Sequence, residues 1–325
     1  MPTEASPPAT VGDSRHHLLA MVGAFAAGVG LSLQSRMNGA VAAHSGQWIV
    51  AALWSFGSGL IVLTLGLLVS RSMRAGWFGI RDALREGRLR WWQCIGGIAG
   101  AILVAVQSWS VPIVGVAIFS VGVVGGQTLN ALLVDRLGLG PAGIQAVTVS
   151  RVVAAVVAVV GVVVSATAHR SGGSFAVWPA LAAFAAGALM AGQQATNARV
   201  SVANGSPMAT TWQNFFVGTI ALLVMSAVIL ARTGTAGWGP PTGVPWWAWW
   251  GGLVGIVFIA ITAWAVRHTG VLLFGLLSVA GQLLAALCLD LLDPVTRGDV
   301  SAQLVLGLGI TLLAAMGAGV AARRR

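Results

Sequence analysis

The chain has 325 residues, of which 57% are hydrophobic and only 8% charged, against roughly 25% charged in an ordinary soluble domain. Mean hydropathy is +0.87. So few charges cannot clothe a water-facing surface, which excludes a soluble enzyme, a nucleic-acid-binding domain and a disordered chain, and leaves an integral membrane protein.

In chain order, residues 1–17 open with MPTEASPPATVGDSR, polar and Pro-containing. They read as a disordered cytoplasmic tail, not a secretory leader, whose basic start they lack. Ten apolar stretches of spanning length follow: 18–42, 47–70, 92–111, 113–137, 142–168, 176–202, 207–231, 246–266, 269–292 and 301–322. Their runs are long and lack period-two alternation, so β-barrel strands are excluded. In a water-free core, helices are then the remaining way to pair the backbone. The expected class is all-α, ten transmembrane helices in one membrane domain over 18–322.

Residues 71–91 form the one extended connection. Met73, Trp77, Ile80 and Leu84 fall on one helical stripe, with arginines over much of the rest. This predicts a basic helix lying on anionic headgroups; a solvated basic loop is the alternative. Arginine supplies all 18 positive charges, against 8 acids. With the N-terminus inside, thirteen arginines fall in cytoplasmic segments and three outside, Arg170, Arg232 and Arg297; Arg36 and Arg151 lie within spans. That bias predicts an N-in, C-in topology. Cys94 and Cys288 form no framework and read as small core residues.

The chain repeats itself. AFAAG occurs at 24–28 and again at 183–187. That offset of 159 pairs Gln34 with Gln193, Asn38 with Asn197, Gly46 with Gly205, Phe56 with Phe215 and Gly59 with Gly218. An offset of 155 pairs WWQCIGGIAG at 91–100 with WWAWWGGLVG at 246–255, then Trp109 with Trp264, Gly115 with Gly270, Gly126-Gln127 with Gly281-Gln282, and Asp135 with Asp290. Repeat A covers 18–170 and repeat B 176–322. Five spans per repeat invert the second copy, the architecture on which halves rock around a midplane site.

Ten spans in a 5+5 inverted repeat resemble the drug/metabolite transporter superfamily. The paired Q-x-x-x-N motifs and the G-Q followed by Asp eight residues after the Gln resemble its YdcZ-like branch of inner-membrane exporters. The resemblance covers about 18–322 and implies a transporter in the cytoplasmic membrane of a bacterium, without naming a substrate.

Polar side chains in a bilayer need a reason. Gln34 and Asn38 share a helix face, as do Gln193 and Asn197, and under the repeat symmetry the two faces are expected to meet across a central cavity. Amides donate and accept, which suits a neutral or zwitterionic solute; the alternative is hydrogen-bonding glue between helices. Gln127, Asn130 and Gln282 form a second candidate set. Trp109 and Trp264 could stack on a solute or sit at headgroup level. Arg36 is a candidate anion contact, and Arg199 is expected to snorkel. Asp135 and Asp290, the acids at equivalent places, are candidate coupling groups, against a reading as edge carboxylates paired with an arginine such as Arg136. G-x-x-x-G at Gly96–Gly100, Gly251–Gly255 and Gly122–Gly126 reads as helix packing.

No phosphate loop, catalytic triad or metal-ligand spacing is present in the sequence, so no cofactor or metal is implied. The leading expectation is a secondary exporter of a small organic metabolite or drug, with a proton gradient as one energy source. The partners expected are a solute and the lipid bilayer, not nucleic acid. Other classes are a non-transporting scaffold or complex subunit, and a membrane-embedded lipid-modifying enzyme.

Overall fold

The structure is a computed structural model and describes residues 11–141, 143–168, 177–234 and 242–323. All regular elements among these are helical: α1 Val11–Ser45, α2 Trp48–Val69, α3 Arg71–Arg85, α4 Gly97–Arg136, α5 Val149–Ala166, α6 Val177–Asn204, α7 Pro207–Thr233, α8 Gly251–Leu292 and α9 Ala302–Arg323. Six stretches are long and apolar enough to cross a membrane: His16–Ser45, Trp48–Val69, Trp91–Arg136, Val149–Ala166, Pro207–Thr233 and Leu273–Leu292. α6 is helical where a span was expected but falls outside these six, because Gln193, Gln194, Thr196, Asn197 and Arg199 dilute its hydropathy.

Three expectations need correcting. The tail was expected to run to residue 17, yet α1 begins at Val11, three residues after the tail's last proline, Pro8. Residues 1–10 lie outside the described residues. The spans 92–111 and 113–137 fall within α4, whose break lies at Gly115 (φ 79°, ψ 171°), three residues past Pro112. The spans 246–266 and 269–292 likewise share α8, apart from Trp246–Trp250, which form a 3-10 turn before it. A third correction concerns α3. Its stripe is divided: Met73 and Ile80 are buried on protein, while Trp77 and Leu84 are each 36% exposed. Gly76 and Gly79 sit against Ser206 and Asn204 at the α6–α7 connection, and Trp77 meets Trp212 edge-on with centroids 4.8 Å apart. The stripe predicted the helix but not its partner.

The two halves pack by equivalent contacts. Gly28 of α1 lies against the Ser278 carbonyl of α8, and its counterpart Gly187 of α6 against the Val123 carbonyl of α4. Gly281 touches Phe25 O, and Gly126 touches Phe184 O. Gly59 receives the Phe215 ring and Gly218 the Phe56 ring, the rings themselves 5.0 Å apart. A side chain at any of these glycines would collide with backbone or ring, so small residues here let the helices approach closely. Gly46 and Gly205 both take the left-handed turn (φ 67° and 69°) before α2 and α7. Trp54 donates to Trp249 O at 2.9 Å, and the equivalent Gln213 donates to the equivalent carbonyl of Cys94. Self-paired contacts join α5 to α9, where Gly161 meets Thr311 and Gly307 meets Ser165.

One core lies between α4, α5, α6, α8 and α9, built on Val116, Phe119, Val121, Val162, Ala183 and Leu283 among others. A second joins α2, α4 and α7 around Ile49, Phe56, Leu63, Phe215 and Leu222. Exposed Leu65, Val69, Val153, Val156 and Leu223 face outward, an apolar exterior that lipid would cover.

Candidate functional site

The amide pairs do not meet each other. Gln34 and Asn38 of α1 turn to α8: a β-carbon at Gly255 would lie 2.9 Å from Gln34 Nε2, and one at Gly251 2.5 Å from Asn38 Oδ1. Gln193 and Asn197 of α6 turn to α4 in the same way, 2.9 Å from a β-carbon at Gly100 and 3.0 Å from one at Gly96. The small residues of G-x-x-x-G give each amide pair a seat on the opposite half.

The seats do not satisfy the amides fully. Gln193 Nε2 donates to Asn214 Oδ1 at 3.3 Å, but Gln193 Oε1 is buried without a partner, as is Asn38 Nδ2. Buried polar groups are nearly always paired, so this unspent donor and acceptor mark the two amide faces. Sequence reasoning missed Asn214; the polar pair Gln213-Asn214 inside an apolar span was the available signal.

The second candidate set is dispersed. Asn130 Nδ2 donates to Ala188 O at 2.6 Å, tying α4 to α6. Gln127 is half-buried, and Gln282 is buried, its own carbonyl accepting Ser32 Oγ at 2.7 Å. Trp109 shares an apolar cavity of about 260 Å³ with Trp48, Ile102 and Met225. Trp264 lies over Gly23. The two indoles thus sit at separate places.

The charged groups gather at two ends. Asp290, 3% exposed, accepts the amides of Val116 (2.9 Å) and Ala117 (2.7 Å). The break at Gly115 frees those amides, and the carboxylate caps them as an N-cap residue would. Thr296 Oγ1 adds a contact to the Asp290 carbonyl at 3.1 Å. One turn on, Asp293 Oδ2 lies 2.6 Å from Arg36 Nη2. This contact is close but not aligned as a hydrogen bond, so it acts as a charge pair. Arg36 also lies 5.9 Å from the Trp247 ring centre, and these groups line a cavity of about 270 Å³ with Leu33, Met37, Leu289 and Pro294. Sequence reasoning missed Asp293; an arginine inside a span was the signal that an acid must be near.

At the other end Asp135 pairs with Arg151 of α5, not with Arg136. Arg199 donates to the carbonyls of Gly140 (3.0 Å) and Gly138: it closes a loop where snorkelling was expected. Arg36→Gln is expected to lower stability by about 2 kcal/mol, less than the loss for a fully buried pair because Arg36 is part-exposed. Adding Asp293→Asn should restore most of it. Thermal unfolding in one detergent checks both; an unrecovered loss would mean that Arg36 acts through Trp247 or packing.

The geometry shows two halves with duplicated helix contacts, amides at their junctions that are buried in one half and half-buried in the other, and acids at opposite ends. No curated protein matches the chain significantly. A family described as "Putative inner membrane exporter, YdcZ" matches it twice, at residues 19–164 and 178–317, one match for each half. Its localisation is the bacterial inner membrane, which the protein crosses more than once. The chain belongs to this YdcZ family of inner-membrane exporters.

Proposed function

We propose that the protein is a secondary transporter that exports a small organic solute by alternating access, and is not an enzyme. The observation that carries this is the equivalence of the helix contacts between halves: Gly28 with Gly187, Gly126 with Gly281, Gly59 with Gly218. Such equivalent packings are what two inverted halves need in order to exchange roles around one site. The supporting topology is ten crossings, five per half, with both termini inside. At 40 and 42 residues, α4 and α8 each hold about 60 Å of helix at 1.5 Å per residue, enough for two segments of spanning length, and in α4 the break at Gly115 divides them.

The solute contacts in this reading are Gln34, Asn38, Gln193 and Asn197, and the unpaired Asn38 Nδ2 and Gln193 Oε1 favour a solute that both donates and accepts hydrogen bonds. Asp135 and Asp290 remain the candidates for proton coupling. Protein reconstituted in proteoliposomes is expected to move members of a metabolite and drug panel under an imposed proton gradient. Absence of movement across the panel would overturn the reading. Asn38→Ala removes an amide whose donor has no partner. It should leave thermal stability within about 1 kcal/mol and cut transport more than tenfold; a loss of folded protein instead would assign Asn38 to packing.

A further inference from the structure

Asp290 caps the turn of α4, while its repeat counterpart holds something else. By the 155-residue offset, Asp290, Gly115, Val116 and Ala117 correspond to Asp135, Gly270, Val271 and Leu272. Asp290 accepts the Val116 and Ala117 amides, whereas the Asp135 carboxylate pairs with Arg151. The repeat is symmetric in sequence at these positions and asymmetric in contact.

Resting on the alternating-access reading, we propose that Asp290 and Asp135 are alternating latches between the halves. In the state described, Asp290 of α8 ties the α4 turn and the Asp135 latch is open. In the opposite state, Asp290 releases Val116 and Ala117, and Asp135 leaves Arg151 to take the Val271 and Leu272 amides. Under the N-in topology the Gly115 turn and Asp290 are on the outer side, and Asp135 is on the inner side. The latch closed in the state described is then the outer one.

Three observations support the exchange. Gly115 holds φ 79°, a conformation that glycine adopts without strain, and a β-carbon there would lie 2.7 Å from Asp290 Oδ2; the counterpart position 270 is also glycine. Buried amides need an acceptor, and each half carries one aspartate at the matching place. Each aspartate also has an arginine nearby. Arg151 holds Asp135 while its latch is open, and Arg36 pairs with Asp293, one turn beyond Asp290, while that latch is closed.

Hydrogen exchange of the full chain in nanodiscs reads both latches at once, in peptides covering 113–120 and 268–275. Arg151→Gln leaves both aspartates intact but frees Asp135. It should speed exchange in 113–120 at least tenfold and slow it in 268–275 by a similar factor. Asp290→Asn should do the same by weakening the outer latch. Asp135→Asn should leave the exchange of 113–120 as in the parent and abolish transport. A change in one peptide without the opposite change in the other would overturn the latch and leave Asp290 a static cap. Reciprocal exchange in a protein that moves no solute would instead overturn the transport reading alone.

Discussion

Gly28→Ala is expected to destabilise the protein by about 3 kcal/mol or more, at the upper end of the range for overpacked cores. The new methyl would land on the Ser278 carbonyl and beside the Gln282 amide. Both are backbone atoms of α8 and cannot swing aside as a side chain could, so α1 and α8 must separate along their contact. Gly187→Ala should cost nearly the same, because it meets the Val123 carbonyl of α4 in the equivalent place. Gly192→Ala is the control on the same helix: nothing lies within 4 Å of its β-carbon, and helix propensity then favours alanine by up to about 1 kcal/mol. Thermal unfolding in one detergent, with folded yield by size exclusion, measures all three. If Gly28→Ala behaved like Gly192→Ala, the close approach of α1 to α8 would be wrong, and the equivalence of the halves with it.

Those glycines show what a linear sequence displays and what it hides. Hydropathy is a local sum, so the apolar stretches are visible without knowing their neighbours. Duplication is visible too, because matched letters at fixed offsets need no coordinates. AFAAG at 24–28 and 183–187 contains Gly28 and Gly187, two of the glycines pressed against a neighbouring backbone. Whether the backbone turns within an apolar run is another matter. Pro112 and Gly115 hint at a break in α4, but a hydropathy window sees only continued apolarity. Choice of partner is hidden as well. The periodicity of Gln34 and Asn38 shows that they share a face, not that the face rests on Gly251 and Gly255 rather than on Gln193 and Asn197. The acids were legible in proportion to their symmetry. Asp135 and Asp290 are paired by the repeat, whereas Asp293 matches Gly138 and finds Arg36 only in three dimensions. The stripe of α3 likewise announced a buried face without saying whether lipid or protein buries it.

Asp290→Ala is expected to cost about 3 kcal/mol, and Asp135→Ala about 1 kcal/mol or less, although the repeat makes these residues equivalent. The difference follows from what each carboxylate holds. Val116 and Ala117 are 1% and 0% exposed, so removing the Asp290 carboxylate strands two amides that water cannot reach, at roughly 1–3 kcal/mol each. Loss of a desolvated charge offsets part of that, since a buried carboxylate is itself costly to hold. Asp135 is 35% exposed and its partner Arg151 16%; water still screens such a part-exposed pair, which contributes less than two amides with no access to water. Asp290→Asn keeps one acceptor oxygen and should fall between. Paired melting curves in the same detergent decide it. Equal losses at the two positions would mean that the carboxylates act only as charges, and that the amides after Gly115 find another acceptor once Asp290 is gone. A loss confined to Asp290 would show that two halves alike in sequence at these positions differ in what their aspartates hold.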